Sequence, residues 1–504
     1  MTQSLTSSLI LSSIGASLAC SDATPKSADF AFATGTEIAT SSTGSAATND
    51  GAATDTSDEP GTSDEPGTSN DDGGAADDAA ETAADDGNAT DTGESGEIPP
   101  PDSDPPPDPN QQIPPPDKDG CHGLYAQDLL PTFHLTLEPV VWEMLQYEWN
   151  HGEEIDDEGD NPKPYHPVTV FEYEDIAIYD AEIRLRGNEN WWDPIPDDKM
   201  QFQIGFHRND EDGNFLGIKR LALDAATANR HLLRDRIALQ IMRDAGIQAP
   251  CANNALVYVN GEYYGIFTNL EKIDETFLER RFDDPTGDLW KRADWELKTN
   301  EDTSNDERLE DLNDAETPEE LYTYLNLEQS LRVFAAEAVL PFSDGMWAGG
   351  LNFYLYDEPI DGKFMMLPWD LDNTFERFHD DDDGEYPHNP DPVVWEKWTS
   401  HGRPFYDIAL EDPVWFDYYI QMIGEVFHGS YQPEKLHELI DTYTAQIQEW
   451  VVADTNKPWS NEHYFDEVEL LHWYIQQRAE FLDEWLECWE NGGVNDGDGY
   501  CEDP

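Results

Sequence analysis

The composition of this chain breaks abruptly at Cys121, and that break decides which part can fold. Residues 21–120 are Ser, Thr, Ala, Gly, Asp and Pro, with almost no large apolar side chain. They hold 24 Asp and Glu against two bases, Lys26 and Lys118. Such a segment cannot bury enough surface to offset the entropy of ordering it. It repeats TSDEPG at 56–61 and 62–67 and ends in Pro-rich stretches at 105–109 and 114–116. These features read as a charged, extended tether that holds a domain off a surface.

A folded domain is therefore expected over residues 121–504, where nearly all the Trp, Tyr and Phe lie. Of the net charge of −80, the tether carries −22 and the domain −58. Nucleic acid is excluded as a partner, because phosphate backbones are bound by Lys and Arg. An anionic membrane surface is an equally poor one.

Residues 1–20 (MTQSLTSSLILSSIGASLAC) read as a signal peptide. The apolar and small-residue run at 9–18 has the length of a signal core and is too short to span a bilayer. Ser17 and Ala19 are the small residues expected before a cut, and Cys20 resembles the lipidated first residue of a bacterial lipoprotein. Two features depart from that pattern: no Lys or Arg precedes the run, and Leu18 stands two residues before Cys20 rather than three. The expectation is export, either as an outer-membrane or cell-surface lipoprotein anchored at Cys20 or as a secreted protein. Four further cysteines, at 121, 251, 488 and 501, fit an oxidising compartment. Cys488 and Cys501 flank a short loop that closes easily, which leaves Cys121 for Cys251. Their spacings do not suggest zinc.

The hydrophobic pattern predicts strands at 135–138, 168–173, 176–186 and 201–206, and helices at 140–150 and 232–245. Two hairpins follow, one turning at Asn260-Gly261 and one at 357–362. Helices are expected at 319–324 and 327–340, and the chain beyond Val393 is mostly helical. The order gives an α+β protein with a β-rich first lobe and an α-rich second lobe.

Three constellations carry possible chemistry. RLRGNEN at 184–190 ends a strand, and Gly187 permits close backbone approach. Residues 184–243, which include Lys199, hold ten Lys and Arg against nine Asp and Glu. An anionic ligand needs such a local cancellation of the acidic field, although ion pairing with neighbouring Asp explains the bases equally well. LPWDLDNTF at 367–375 places Asp370 and Asp372 two apart, with Asn352 on the partner strand. Oxygen ligands suit Mg²⁺, Mn²⁺ or Ca²⁺; in so acidic a chain the same pair also reads as a solvated turn. Asp344 ends an apolar helix eight residues before Asn352.

The string RLRGN…K…F-x-I…LAL…LLRDR…G…YVNGEYYGIFTNLEKID…NFYLY…LPWDLDNTF, over roughly 173–375, resembles the spore coat protein H (CotH) kinase family. The resemblance implies a secreted, atypical protein kinase with a reduced, two-lobed kinase-like fold, a core at about 173–375 and a helical part at 393–490. It implies ATP with Mg²⁺ or Mn²⁺ as cofactors and a protein substrate with Ser or Thr acceptors. Lys199 would pair with the nucleotide phosphates, Asp235 would orient that lysine, and Glu271 would touch the nucleotide near the hinge. Arg186, Gly187 and Asn188 would approach the phosphates in place of a glycine loop, since GxGxxG, HRD and DFG strings are absent. Asp344 would receive or orient the acceptor hydroxyl. Asn352 and Asp370 would hold the metal, with Asp372 helping. Leu351 stands where the family commonly has His, and HDDDDGE at 379–385 is an acidic insertion that suits Ca²⁺. A surface adhesion or scaffold protein that kept the fold and lost the chemistry is the alternative.

Overall fold

The computed structural model describes residues 120–152, 163–186, 199–227, 229–292, 295–375, 390–393, 403–495 and 501–502. All belong to one unit, Asn70–Pro504. The signal, nearly all of the tether, Gly187, Asn188 and the insertion at 379–385 lie outside the described residues.

A nine-stranded sheet organises the first lobe. Its strands are β1 (Thr132–Thr136), β2 (His166–Pro167), β3 (Val170–Tyr173), β4 (Ile176–Ile178) and β5 (Glu182–Leu185). They continue with β6 (Phe202–Gly205), β7 (Arg220–Asp224), β8 (Ala252–Val259) and β9 (Glu262–Leu270). The spatial order is β2-β5-β6-β7-β9-β8-β1-β3-β4. Neighbours run antiparallel except β1 and β8. The β8–β9 hairpin forms where the sequence places it, since Asn260 and Gly261 both take positive φ (51° and 83°), as a tight two-residue turn requires. The expected strand at 176–186 is split into β4 and β5, and β7 was not expected at all.

The sheet is covered on both faces. Helix α1 (Pro139–Asn150) lays Val141, Leu145 and Trp149 on one face, where Phe133, Phe171, Phe202 and Phe267 form an aromatic core. Helix α2 (Arg234–Asp244) covers the other, and every residue from Arg234 to Met242 is buried. It begins two residues later than its periodicity suggests, because Leu232 takes left-handed backbone (φ 58°). A disulfide joins Cys121 to Cys251, with Cα atoms 5.8 Å apart. Cys488 is disulfide-bonded too, while the side chain of its expected partner, Cys501, lies outside the described residues.

Helix α3 (Glu275–Arg281) leads into the second lobe. There a four-stranded sheet takes the order β11 (Glu296–Leu297), β10 (Leu289–Lys291), β12 (Phe353–Glu358), β13 (Lys363–Pro368). Helices α4 (Glu307–Asn313), α5 (Pro318–Tyr324) and α6 (Leu327–Val339) precede β12. Helices α7 (Pro404–Ala409), α8 (Pro413–Ser430), α9 (Pro433–Ala453) and α10 (Asn461–Glu490) complete the α-rich part. One apolar core runs from Ile237 and Leu270 through Leu331 and Phe353 to Leu482, so the two lobes share it.

Candidate active site

Three segments meet at the open end of the β12–β13 hairpin. After β13 the Trp369 amide donates to the Asn352 carbonyl at 3.0 Å, which carries the pairing one step beyond the strands. Asn352 and Asp370 both take left-handed backbone (φ 53° and 59°), a conformation that Asn and Asp tolerate best after Gly. The Asn352 amide donates to Asp344 Oδ2 at 2.5 Å, so the turn after α6 is tied to the hairpin. Sequence reasoning named all three residues, and the structure brings them together.

The turn that carries Asp344 is braced from beneath. Glu337 of α6 is fully buried, and its Oε2 accepts the Trp347 amide at 2.7 Å. Burial pushes the Glu337 carboxyl up to about 8. The Trp347 indole donates to the Pro392 carbonyl at 2.9 Å, and Arg403 donates to the Trp347 carbonyl at 2.8 Å.

Beside Asp370 lie three further carboxylates, Asp224, Asp235 and Asp372. Asp235, in the first turn of α2, accepts the Leu371 amide at 3.1 Å, and Arg234 donates to the Asp372 carbonyl at 2.8 Å. Asp224, at the end of β7, pairs with Arg186 at 2.9 Å. Burial, then Asp224 and Asp370, push Asp235 up to about 8. Burial raises Asp370 while Arg186 pulls it back, and burial with Asp370, Asp235 and Asp224 pushes Asp372 well up. Bases crowd the same place. Burial and Lys298 pull Lys291 down to about 8, and burial with Lys291, Arg184, Lys298 and Arg186 pulls Lys272 well down. Each sign of charge is therefore gathered against its own repulsion.

Among the described residues no group of three or more His, Cys, Asp or Glu side chains is arranged to hold a metal ion. An open set of carboxylate and amide oxygens is what Mg²⁺ uses, since it keeps waters and takes phosphate oxygens. Asp370, Asp372 and Asn352 would be the oxygen donors of such a set, and the repulsion among the carboxylates is what a cation would relieve.

One expected contact is not present. Lys199 is not oriented by Asp235, whose carboxyl is turned to Leu371. The Lys199 ammonium instead donates to Asp454 Oδ2 at 2.7 Å and to the Ile266 carbonyl, entirely out of solvent. Glu271 is engaged within the chain. Its carboxylate is held by Arg280, by Arg281 at 3.3 Å and by the Cys251 amide at 2.9 Å. These contacts, led by Arg280, outweigh burial and hold its carboxyl below the usual range. Asp224, Lys272, Lys291, Glu337 and Asp454 were not singled out from sequence; Asp224 and Lys291 each close a short strand that the pattern did not reveal.

The family model described as CotH kinase protein matches residues 183–482, more than half of the chain. The chain belongs to the CotH kinase family. The match continues beyond the core that the sequence motifs mark, through α8 and α9 into α10. The chain is also similar to the inner spore coat protein H of Bacillus subtilis (strain 168), with 23% identity over 335 residues. That alignment covers 61% of this chain and 87% of the relative. The CotH-like chain is thus a kinase-like α+β protein. Among its described residues no helix is long and apolar enough to cross a membrane.

Proposed function

We propose that this chain is an ATP- and divalent-metal-dependent phosphotransferase acting on Ser or Thr of a protein substrate. The observation that carries the reading is the juxtaposition of the Asp344–Asn352 pair with a group of carboxylates and bases that repel within each sign. Phosphoryl transfer asks a protein for positioning and charge neutralisation rather than covalent chemistry. Asp344 receives or orients the acceptor hydroxyl, and the Asn352 amide fixes its carboxylate. Asp370 and Asp372, with the Asn352 oxygen, would hold a divalent cation, which supplies neutralisation of phosphate charge when bound. Asp235 secures the Asp370–Asp372 turn through the Leu371 amide.

The reading extends to location. The signal-like first twenty residues, the disulfide between Cys121 and Cys251 and a relative from a spore coat all support an exported protein. A lipid anchor at Cys20 and the tether would hold the enzyme at an envelope or cell surface.

The test incubates the purified chain with γ-labelled ATP and Mg²⁺ or Mn²⁺, beside Asp344→Asn and Asp370→Ala. Incorporation should fall at least about a hundredfold in each variant. Equal labelling of parent and variants would refute the assignment. Binding to a cell or polymer surface that survives both substitutions, with no labelling by the parent, would favour the scaffold alternative.

A further inference from the structure

The Lys199 ammonium is committed within the chain. A lysine ammonium carries three donors. One meets the Ile266 carbonyl and one meets Asp454 Oδ2 at 2.7 Å. The Phe267 ring covers the ammonium, with its centroid 4.0 Å from Nζ. The side chains of Lys199 and Asp454 are each 1% exposed. Asp454 caps the C-terminal end of α9 and also accepts the Ile266 amide at 3.1 Å. Gly265 makes room for the pair, because a Cβ there would lie 2.6 Å from Lys199 Nζ. Neighbouring bonds make the same connection. Asn456 donates to the Tyr264 carbonyl at 2.6 Å, and the Tyr263 hydroxyl donates to the Trp450 carbonyl at 3.0 Å. Lys199 is therefore part of a latch between β9 and the end of α9.

The bases around Asp370 are others: Arg186, Lys291 and Lys272. Lys272 stands two residues beyond β9, with Nζ 5.5 Å from the Trp369 ring centroid. Lys291 ends β10 and pairs with Tyr354 of β12, two residues from Asn352. Arg186 reaches the group through Asp224. Three cations gathered beside the metal-binding carboxylates, in a chain of net charge −80, are a site for a polyanion.

Resting on the kinase reading above, we propose that Lys272, Lys291 and Arg186 hold the nucleotide polyphosphate, and that Lys199 with Asp454 is a buried latch fixing the first-lobe sheet to the C-terminal helices. The latch leaves phosphate neutralisation to side chains that enter the site from the ends of β5, β9 and β10.

The experiment measures ATP binding to the full chain in MgCl₂ by calorimetry, beside its melting temperature. Lys272→Ala and Lys291→Ala should each weaken binding about tenfold or more, with melting little changed. Lys199→Met alone leaves Asp454 buried without its partner and should lower the melting temperature. The paired variant Lys199→Met/Asp454→Leu removes both charges and should recover much of that loss. It should also bind ATP within about threefold of the parent. A folded paired variant that no longer binds ATP overturns the proposal, as does full affinity in Lys272→Ala and Lys291→Ala. A parent that binds no ATP at millimolar concentration refutes the kinase reading and the phosphate assignment together. The latch is then judged by melting alone, and additive effects of Lys199→Met and Asp454→Leu would overturn it.

Discussion

Replacing Glu337 by Gln isolates the brace beneath Asp344. The parent carboxyl is fully buried, with one oxygen on the Trp347 amide and the other without a hydrogen-bond partner. Burial moves it from 4.5 to about 8. In the window between those values the unfolded chain has released this proton and the native protein retains it. Stability therefore falls as pH rises through the window, and the loss is complete above about 8. At ~1.4 kcal/mol per pH unit the whole effect has a ceiling of about 5 kcal/mol. Glutamine keeps an oxygen for the Trp347 amide and does not titrate. At about 2 °C per kcal/mol for a domain of this size, the variant should gain up to about 10 °C over the parent between pH 5 and pH 9. Asp235 and Lys291 also titrate near 8, so the difference between the two melting curves, not either alone, reports Glu337. Scanning calorimetry at one-unit pH steps makes the measurement. Parallel curves would refute the argument, because they would mean that Glu337 is ionised in the fold as it is in the unfolded chain.

Other perturbations have equally definite outcomes. Asp372→Asn removes one of four mutually repelling carboxylates; it should stabilise the metal-free protein by about 1 kcal/mol in urea unfolding and abolish any Mg²⁺-dependent melting shift. Breaking the disulfide by Cys121→Ser, which spans a sequence separation of 130, should cost roughly 2–5 kcal/mol, and a reducing agent, which also reaches the Cys488 disulfide, should lower the stability of the parent by more than that of the variant. Gly265→Ala puts a methyl 2.6 Å from Lys199 Nζ and should cost more than about 2 kcal/mol by the same unfolding assay.

What the sequence reveals is local, and what it conceals is mostly long-range. The Asn260-Gly261 hairpin, α1, α6 and the Asp370 turn follow from residues within a few positions of one another. Asp454 does not. It lies 255 residues from Lys199, and nothing distinguishes it among 108 acidic side chains until the fold places α9 under β9. Glu271 and Lys272 fail in a different way. Neighbouring residues of an extended segment point to opposite sides, so a polar string after β9 leaves open which member faces the site. Helix α3 was not foreseen, and its Arg280 and Arg281 pair with Glu271. Lys272 faces the opposite way, toward Trp369 and Asp370.

Two local rules are broken together at the Asp370 turn. Stable folds avoid left-handed backbone at side-chain-bearing residues and avoid bringing like charges out of water. Here both departures coincide. Asn352 and Asp370 are left-handed, and beside them burial with like-charged neighbours raises Asp235 and Asp372 and lowers Lys272 and Lys291. The Lys199–Asp454 pair is just as charged and more deeply buried, yet each partner's charge is met by the other and by the backbone of Ile266. Burial of charge therefore does not separate the two places; the sign of the neighbours does. In the latch each charge faces its opposite, whereas at the Asp370 turn like-charged neighbours add to burial in raising Asp235 and Asp372 and in lowering Lys272.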